Sequence, residues 1–148
     1  MALSYSSPGE SLSNLQAAYL DRLGEANELF ALGRYGSAIA LGLYALEIYL
    51  KVRICLRLDL PALPKPFQVH ELDSLLVLSG LQARMDRLGN HPTKIHWGEL
   101  STSSMKAIHS NELRYQPNAN WSRSEAATVL HRIQDPTEGV LTWLLAQT

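Results

Sequence analysis

One cysteine, Cys55, is the whole thiol content of the chain, which excludes an internal disulfide and any multi-cysteine zinc site. A surplus of either charge is missing as well, because Lys and Arg nearly balance Asp and Glu and leave a formal net charge of −1. Such a chain lacks the broad basic surface that duplex DNA attracts, so any contact with phosphates has to come from a local cluster. Long apolar runs are also absent: Glu47 interrupts the longest one well before it could span a bilayer. The opening "MALSYSSPGESLS" has neither a basic segment nor an apolar one of signal-peptide type. The expectation is a cytoplasmic protein with no membrane partner. No strand-like alternation, internal repeat, P-loop, dinucleotide-binding glycine motif or nucleophile elbow occurs.

What the chain does contain reads as helix. With 148 residues, 46% hydrophobic and 18% charged, it has the material for one soluble domain with a real core. Residues 1–12 read as a flexible tail and 13–148 as the domain. Ser13 and Gln16 stand at capping-box spacing, and Leu15, Tyr19, Leu23, Ala26 and Phe30 then recur every three or four residues, up to a stop at Gly33. A second helix runs from Tyr35 to about Leu58 and is apolar around most of its circumference, as the central member of a bundle would be. Pro61, Pro64 and Pro66 impose an extended link. "HELDSLLVLS" reads as a short helix ended by Gly80, and "LQARMDRLG" adds two turns before Gly89. Residues 90–101 show no clear period, whereas "STSSMKAIHSNELRY" reads as helix. Ser122 and Glu125 form a capping box for "SRSEAATVLHRI". Pro136 then either kinks that helix or begins another capped by Asp135, with Val140, Trp143 and Leu144 buried. The fold class is an all-α, up-and-down bundle of four to six helices.

Two charges interrupt the apolar second helix. On a wheel of 100° per residue, Gly36, Ala40, Tyr44, Glu47 and Lys51 share one stripe with Ser37 at its edge. Glu47 precedes Lys51 by four residues, the favourable order for a helical ion pair. Two readings stand side by side. The stripe is the exposed face, with Lys51, Arg53 and Arg57 solvated; or the pair faces an internal cleft or a subunit interface.

Several of these segments together resemble the HEPN family, small helical-bundle proteins of prokaryotic toxin–antitoxin, defence and nucleotidyltransferase-associated systems, also found at the end of the chaperone sacsin. Gly33 and Tyr35 match a G-x-Y turn; Ala45, Glu47, Leu50 and Lys51 match an A-x-E-x-x-L-K signature; His70 and Leu72 match the start of the third helix; Arg114 and Tyr115 match a step before the last helix. The resemblance covers about residues 13–147. It implies a homodimer, with Glu47 and Lys51 lining an interhelical cleft, and ligand or interface roles for Glu47, Lys51, His70, Arg114 and Tyr115. It also implies a nucleotide, an RNA or a nucleotidyltransferase-type protein as partner, and no cofactor.

Active members of that family carry an R-x4–6-H motif at the start of the last long helix, and cut RNA without metal. Histidine moves the protons while arginine stabilises charge on the phosphate. Counting from Arg114, the histidine positions hold Ala119, Asn120 and Trp121. Arg84 and His91 match the spacing, but in a segment between helices; His109 and Arg114 offer the pair in reverse order. The expectation is a catalytically degenerate module that binds a nucleotide, an RNA phosphate or a partner protein. The alternatives are a metal-independent endoribonuclease toxin using His109 with Arg114, or Arg84 with His91, and a dimeric scaffold without ligand. No metal site is expected: His91 and His96 are poorly spaced and have no matching carboxylate, and His131 reads as a surface or half-buried side chain.

Overall fold

A computed structural model describes residues 10–109 and 115–148, without the side chains of residues 103–109. Among the described residues seven helices follow one another: α1 (Leu12–Ala31), α2 (Tyr35–Leu58), α3 (Leu72–Leu78), α4 (Gln82–Asp86), α5 (Pro92–His109), α6 (Arg123–Gln134) and α7 (Val140–Leu145). Helix makes up 72% of the structure and no strand occurs among the described residues, so the class is all-α as expected. The number exceeds four to six because α3, α4 and α7 are one- or two-turn pieces that glycines and prolines keep apart.

The first two helices form an antiparallel hairpin. Gly33, at φ 77°, supplies the left-handed turn between them. Tyr19 early in α1 meets Tyr49 late in α2 edge-on at 4.8 Å, and Phe30 meets Tyr35 at 5.7 Å beside the turn. Leu15 and Ala26 of the apolar stripe are buried, and Tyr19, Leu23 and Phe30 pack against the core. The cap of α1 lies two residues earlier than the Ser13–Gln16 spacing suggests. Ser11 accepts from the Asn14 N–H at 3.2 Å, and its neighbours are pinned on the proline link by Leu12 N–H to Pro61 O and Leu63 N–H to Glu10 O. A tertiary contact, not local spacing, sets that start.

Helix α2 is the axis of the bundle, with α1, α3 and α6 packed around it. Its own N-cap residue, Arg34, makes no capping bond; instead Asn118, from a one-turn 3-10 helix (Asn118–Asn120), accepts from the Ser37 N–H at 2.8 Å. Gly36 permits this approach, since a Cβ there would lie 2.6 Å from the Trp121 ring. Helix α1 is tied to α6 by reciprocal amide bonds of 3.0 and 2.7 Å between Asn27 and Gln134.

The segment without clear period is the start of α5. Pro92 occupies the first helical position, where its missing N–H is no loss, and His91 Nδ1 accepts from the Thr93 N–H at 3.1 Å. Only Thr93, Trp97, Leu100 and Ser101 of residues 92–102 are buried, a stripe too polar to be found by hydrophobicity alone. The Ser122–Glu125 capping box is present as expected, with bonds of 2.8 and 3.0 Å. Pro136 ends α6 instead of kinking it: Asp135 Oδ2 accepts from the N–H groups of Thr137 and Glu138, and α7 begins four residues beyond Pro136. Val140 and Leu144 are buried and Trp143 is half-buried.

Candidate functional site

Glu47 and Lys51 are buried, at 7% and 9% exposure, which excludes the solvated-face reading for this end of the stripe. Tyr44, one turn earlier, is 40% exposed, so the stripe reaches solvent only in its middle, between the buried Gly36 and the buried charge pair. Lys51 Nζ donates to Glu47 Oε2 at 3.0 Å, and His70 Nδ1 lies 3.1 Å from the same oxygen. A carboxylate only accepts, so the proton of this contact resides on Nδ1 of His70. The imidazole itself stays largely exposed, at 69%. The extended link thus brings His70, one residue before the Glu71 cap of α3, over a buried ion pair on α2. Three of the residues singled out in the sequence converge here. Tyr115 is 74% exposed and does not join them. Arg114 lies outside the described residues, as does the side chain of His109, so that reversed pair is not described.

The other spaced pair is divided between different tasks. His91 Nδ1 caps α5, and Arg84 Nη1 donates instead to Thr148 O at 3.1 Å and Gln147 Oε1 at 3.3 Å. Arg84 instead joins two arginines of α2. Arg53, Arg57 and Arg84 line one groove of about 320 Å³ with Leu56, Ser79, Gly80, Leu81 and Thr148, and among the described residues no aspartate or glutamate lines it. Arg53 Nη1 donates to Gln147 O at 3.0 Å and Arg57 Nη1 to Leu78 O at 2.8 Å. Each guanidinium is thereby anchored through one nitrogen and keeps other donors. Gly80 makes room for Arg57: at φ 80° it takes a left-handed turn, and a Cβ there would lie 2.8 Å from Arg57 Nε. The i,i+4 spacing of Arg53 and Arg57 is visible in the sequence; the arrival of Arg84 depends on how α3 and α4 fold back.

A second constellation has no sequence signal. His96 of α5, His131 of α6 and Glu138 before α7 each offer one ligand-type atom within 4.8 Å of the others. The two imidazoles meet edge-on at 5.7 Å. Beside them, the Asp135 carboxyl is held below the ordinary aspartate range, first by the N–H groups of Glu138 and Thr137 and then by the charge of His131. The remaining nucleophile, Cys55, is fully buried in the core, and burial pushes its thiol up, away from reactivity.

No family model matches this chain, and neither a curated protein nor a solved structure matches it significantly. Among the described residues, no helix is long and apolar enough to cross a membrane.

Proposed function

We propose that this chain is a HEPN-type module that holds a phosphate-bearing ligand, a nucleotide or an RNA phosphate, without cutting it. The observation that carries this reading is the groove in which Arg53, Arg57 and Arg84 converge, with no aspartate or glutamate among the described residues that line it. It is the local cluster that a chain of net charge −1 needs in order to hold phosphate. Planar guanidinium forks, each anchored at one nitrogen, suit an anion with several oxygens. The convergence of Glu47, Lys51 and His70 supports the kinship, because these are the positions on which the resemblance rests. Against the endoribonuclease alternative stands the separate engagement of Arg84 and His91.

The partners proposed with this reading are a second copy of the chain and a nucleotidyltransferase-type protein, in a cytoplasmic toxin–antitoxin or defence setting. For the homodimer, Tyr44, Leu56 and Leu58 of α2 and Val77 of α3 offer exposed apolar surface, and sedimentation at micromolar concentration tests it.

The ligand test is a titration with nucleoside triphosphate and with tRNA in the absence of divalent metal. Binding should weaken in Arg57→Ala and Arg84→Ala, and fall with rising salt, while the RNA stays intact. Unaltered binding in both variants would remove the groove from the proposal. Cleavage lost in both His109→Ala and Arg114→Ala would replace binding by catalysis through the reversed pair, and cleavage lost in His91→Ala and Arg84→Ala would do so through the other.

A further inference from the structure

We infer that His96, His131 and Glu138 form a binding site for one divalent transition-metal ion of the zinc type. The three side chains come from different elements: the second turn of α5, the last turn of α6 and the turn before α7. Two hydrogen bonds fix the Glu138 backbone. Thr93 Oγ1 donates to Glu138 O at 3.0 Å, and the Glu138 N–H donates to Asp135 Oδ2 at 2.8 Å. Gly139 lets this turn close, since a Cβ there would lie 2.6 Å from both Asp135 N and O.

His96 is the group that requires an explanation. Both of its ring nitrogens are shut off from solvent and neither has a hydrogen-bond partner among the described residues. A buried imidazole left in that state costs free energy, because one nitrogen must donate and the other accept. Its Nε2 lies 3.8 Å from Glu138 Oε2, beyond hydrogen-bond reach. Around a tetrahedral ion with bonds of about 2.0–2.1 Å, neighbouring ligand atoms stand about 3.4 Å apart. The histidine–glutamate gap is therefore nearer the spacing of two ligands around an ion than that of a direct bond. The wider separations, up to 4.8 Å, close on rotation of Glu138 and His131, whose side chains are 44% and 55% exposed.

The donor set gives the class of ion. Two imidazoles and a carboxylate suit zinc, cobalt or nickel; calcium and magnesium prefer all-oxygen surroundings. The Asp135 carboxylate, 3.5 Å from His131 Nδ1, adds negative charge that further favours a cation. Three protein ligands leave a fourth position, as in exchangeable rather than structural zinc sites. Arg123, Ser124, Thr128 and Arg132 line the open groove shared with His96 and His131. Water or a small anion would fill that position.

The experiment uses the full chain, stripped with a chelator and titrated with Co²⁺ while its visible ligand-field absorption is followed, then with Zn²⁺ in competition. One ion per chain is expected, with Zn²⁺ displacing Co²⁺ and raising the melting temperature. His131→Ala and Glu138→Gln, both at partly exposed positions, should fold and lose more than about a hundredfold in affinity, a larger loss than an outer partner usually causes. Glu28→Gln, on the exposed surface of α1, should bind as wild type does. Absence of Co²⁺ absorption together with no Zn²⁺ effect on melting would overturn the inference, leaving the three groups as a plain imidazole–carboxylate contact. Binding that survives both His131→Ala and Glu138→Gln would overturn it too, by placing the metal elsewhere on the chain.

Discussion

Lys51 Nζ stands 3.0 Å from Glu47 Oε2 one turn apart on α2, and both residues are at least nine-tenths buried. A charge pair so enclosed differs from a surface pair in what its removal does. Lys51→Ala should destabilise the protein by about 3–5 kcal/mol, since it leaves a buried carboxylate with only the His70 contact. The double change Glu47→Leu with Lys51→Met should recover most of that loss, because no unpaired charge remains. Urea midpoints of the two proteins decide it, and a midpoint for Lys51→Ala equal to wild type would mean that water reaches the pair.

His70 shares the Glu47 oxygen but keeps most of its ring in solvent. His70→Ala should therefore cost below about 1 kcal/mol, as exposed charged contacts do. If the loss approached that of Lys51→Ala, the link before α3 would be held mainly through this imidazole.

Two helical glycines should respond in opposite directions to alanine. At Gly24, exposed in α1, nothing lies within 4 Å of a new Cβ, and Gly24→Ala should stabilise by about 0.5–1 kcal/mol. At Gly36 the new methyl meets the Trp121 ring at 2.6 Å and the Asn118 side chain at 3.2 Å. Gly36→Ala should cost about 1–3 kcal/mol through overpacking, and should shift the tryptophan fluorescence. Thermal melts of the two variants read both signs.

The capping box at the start of α6 can be tested alone. Ser122→Ala removes the oxygen that accepts from the Glu125 N–H and should cost about 1 kcal/mol, whereas Ser122→Asp should be nearly neutral. A loss well above about 2 kcal/mol would show that Ser122 also positions the neighbouring Trp121.

Cys55 should be inert in the native state. The thiol is enclosed by the core and its ionisation is pushed up by burial, so modification by an aromatic disulfide reagent at neutral pH should require unfolding. Rapid stoichiometric reaction of the native protein would mean that α2 opens locally.

Local chemistry carried much of this fold. The spacing of Leu15, Tyr19, Leu23, Ala26 and Phe30 located α1. Gly33, Gly80 and Gly89 marked turns that are indeed left-handed, and Ser122 with Glu125 located the start of α6. These signals act within four or five residues along the chain, which is the range over which backbone hydrogen bonds and helical faces are set. The start of α5 escaped because its buried face includes Thr93 and Ser101, and its cap is a histidine ahead of a proline.

The amino-acid sequence by itself determined the all-α class, the central place of α2 and the pairing of Glu47 with Lys51, since each follows from the helical period alone. Tertiary structure decided whether that pair met water, which residue capped α2, and which distant side chains met. Asn118 reaches Ser37 across 81 positions, Arg84 joins Arg53 and Arg57, and His96 meets His131 and Glu138. Nothing in a helical repeat specifies such encounters. They arise when helices and short connecting pieces, marginal or unstable alone, dock where their apolar faces are best buried and carry their polar neighbours with them.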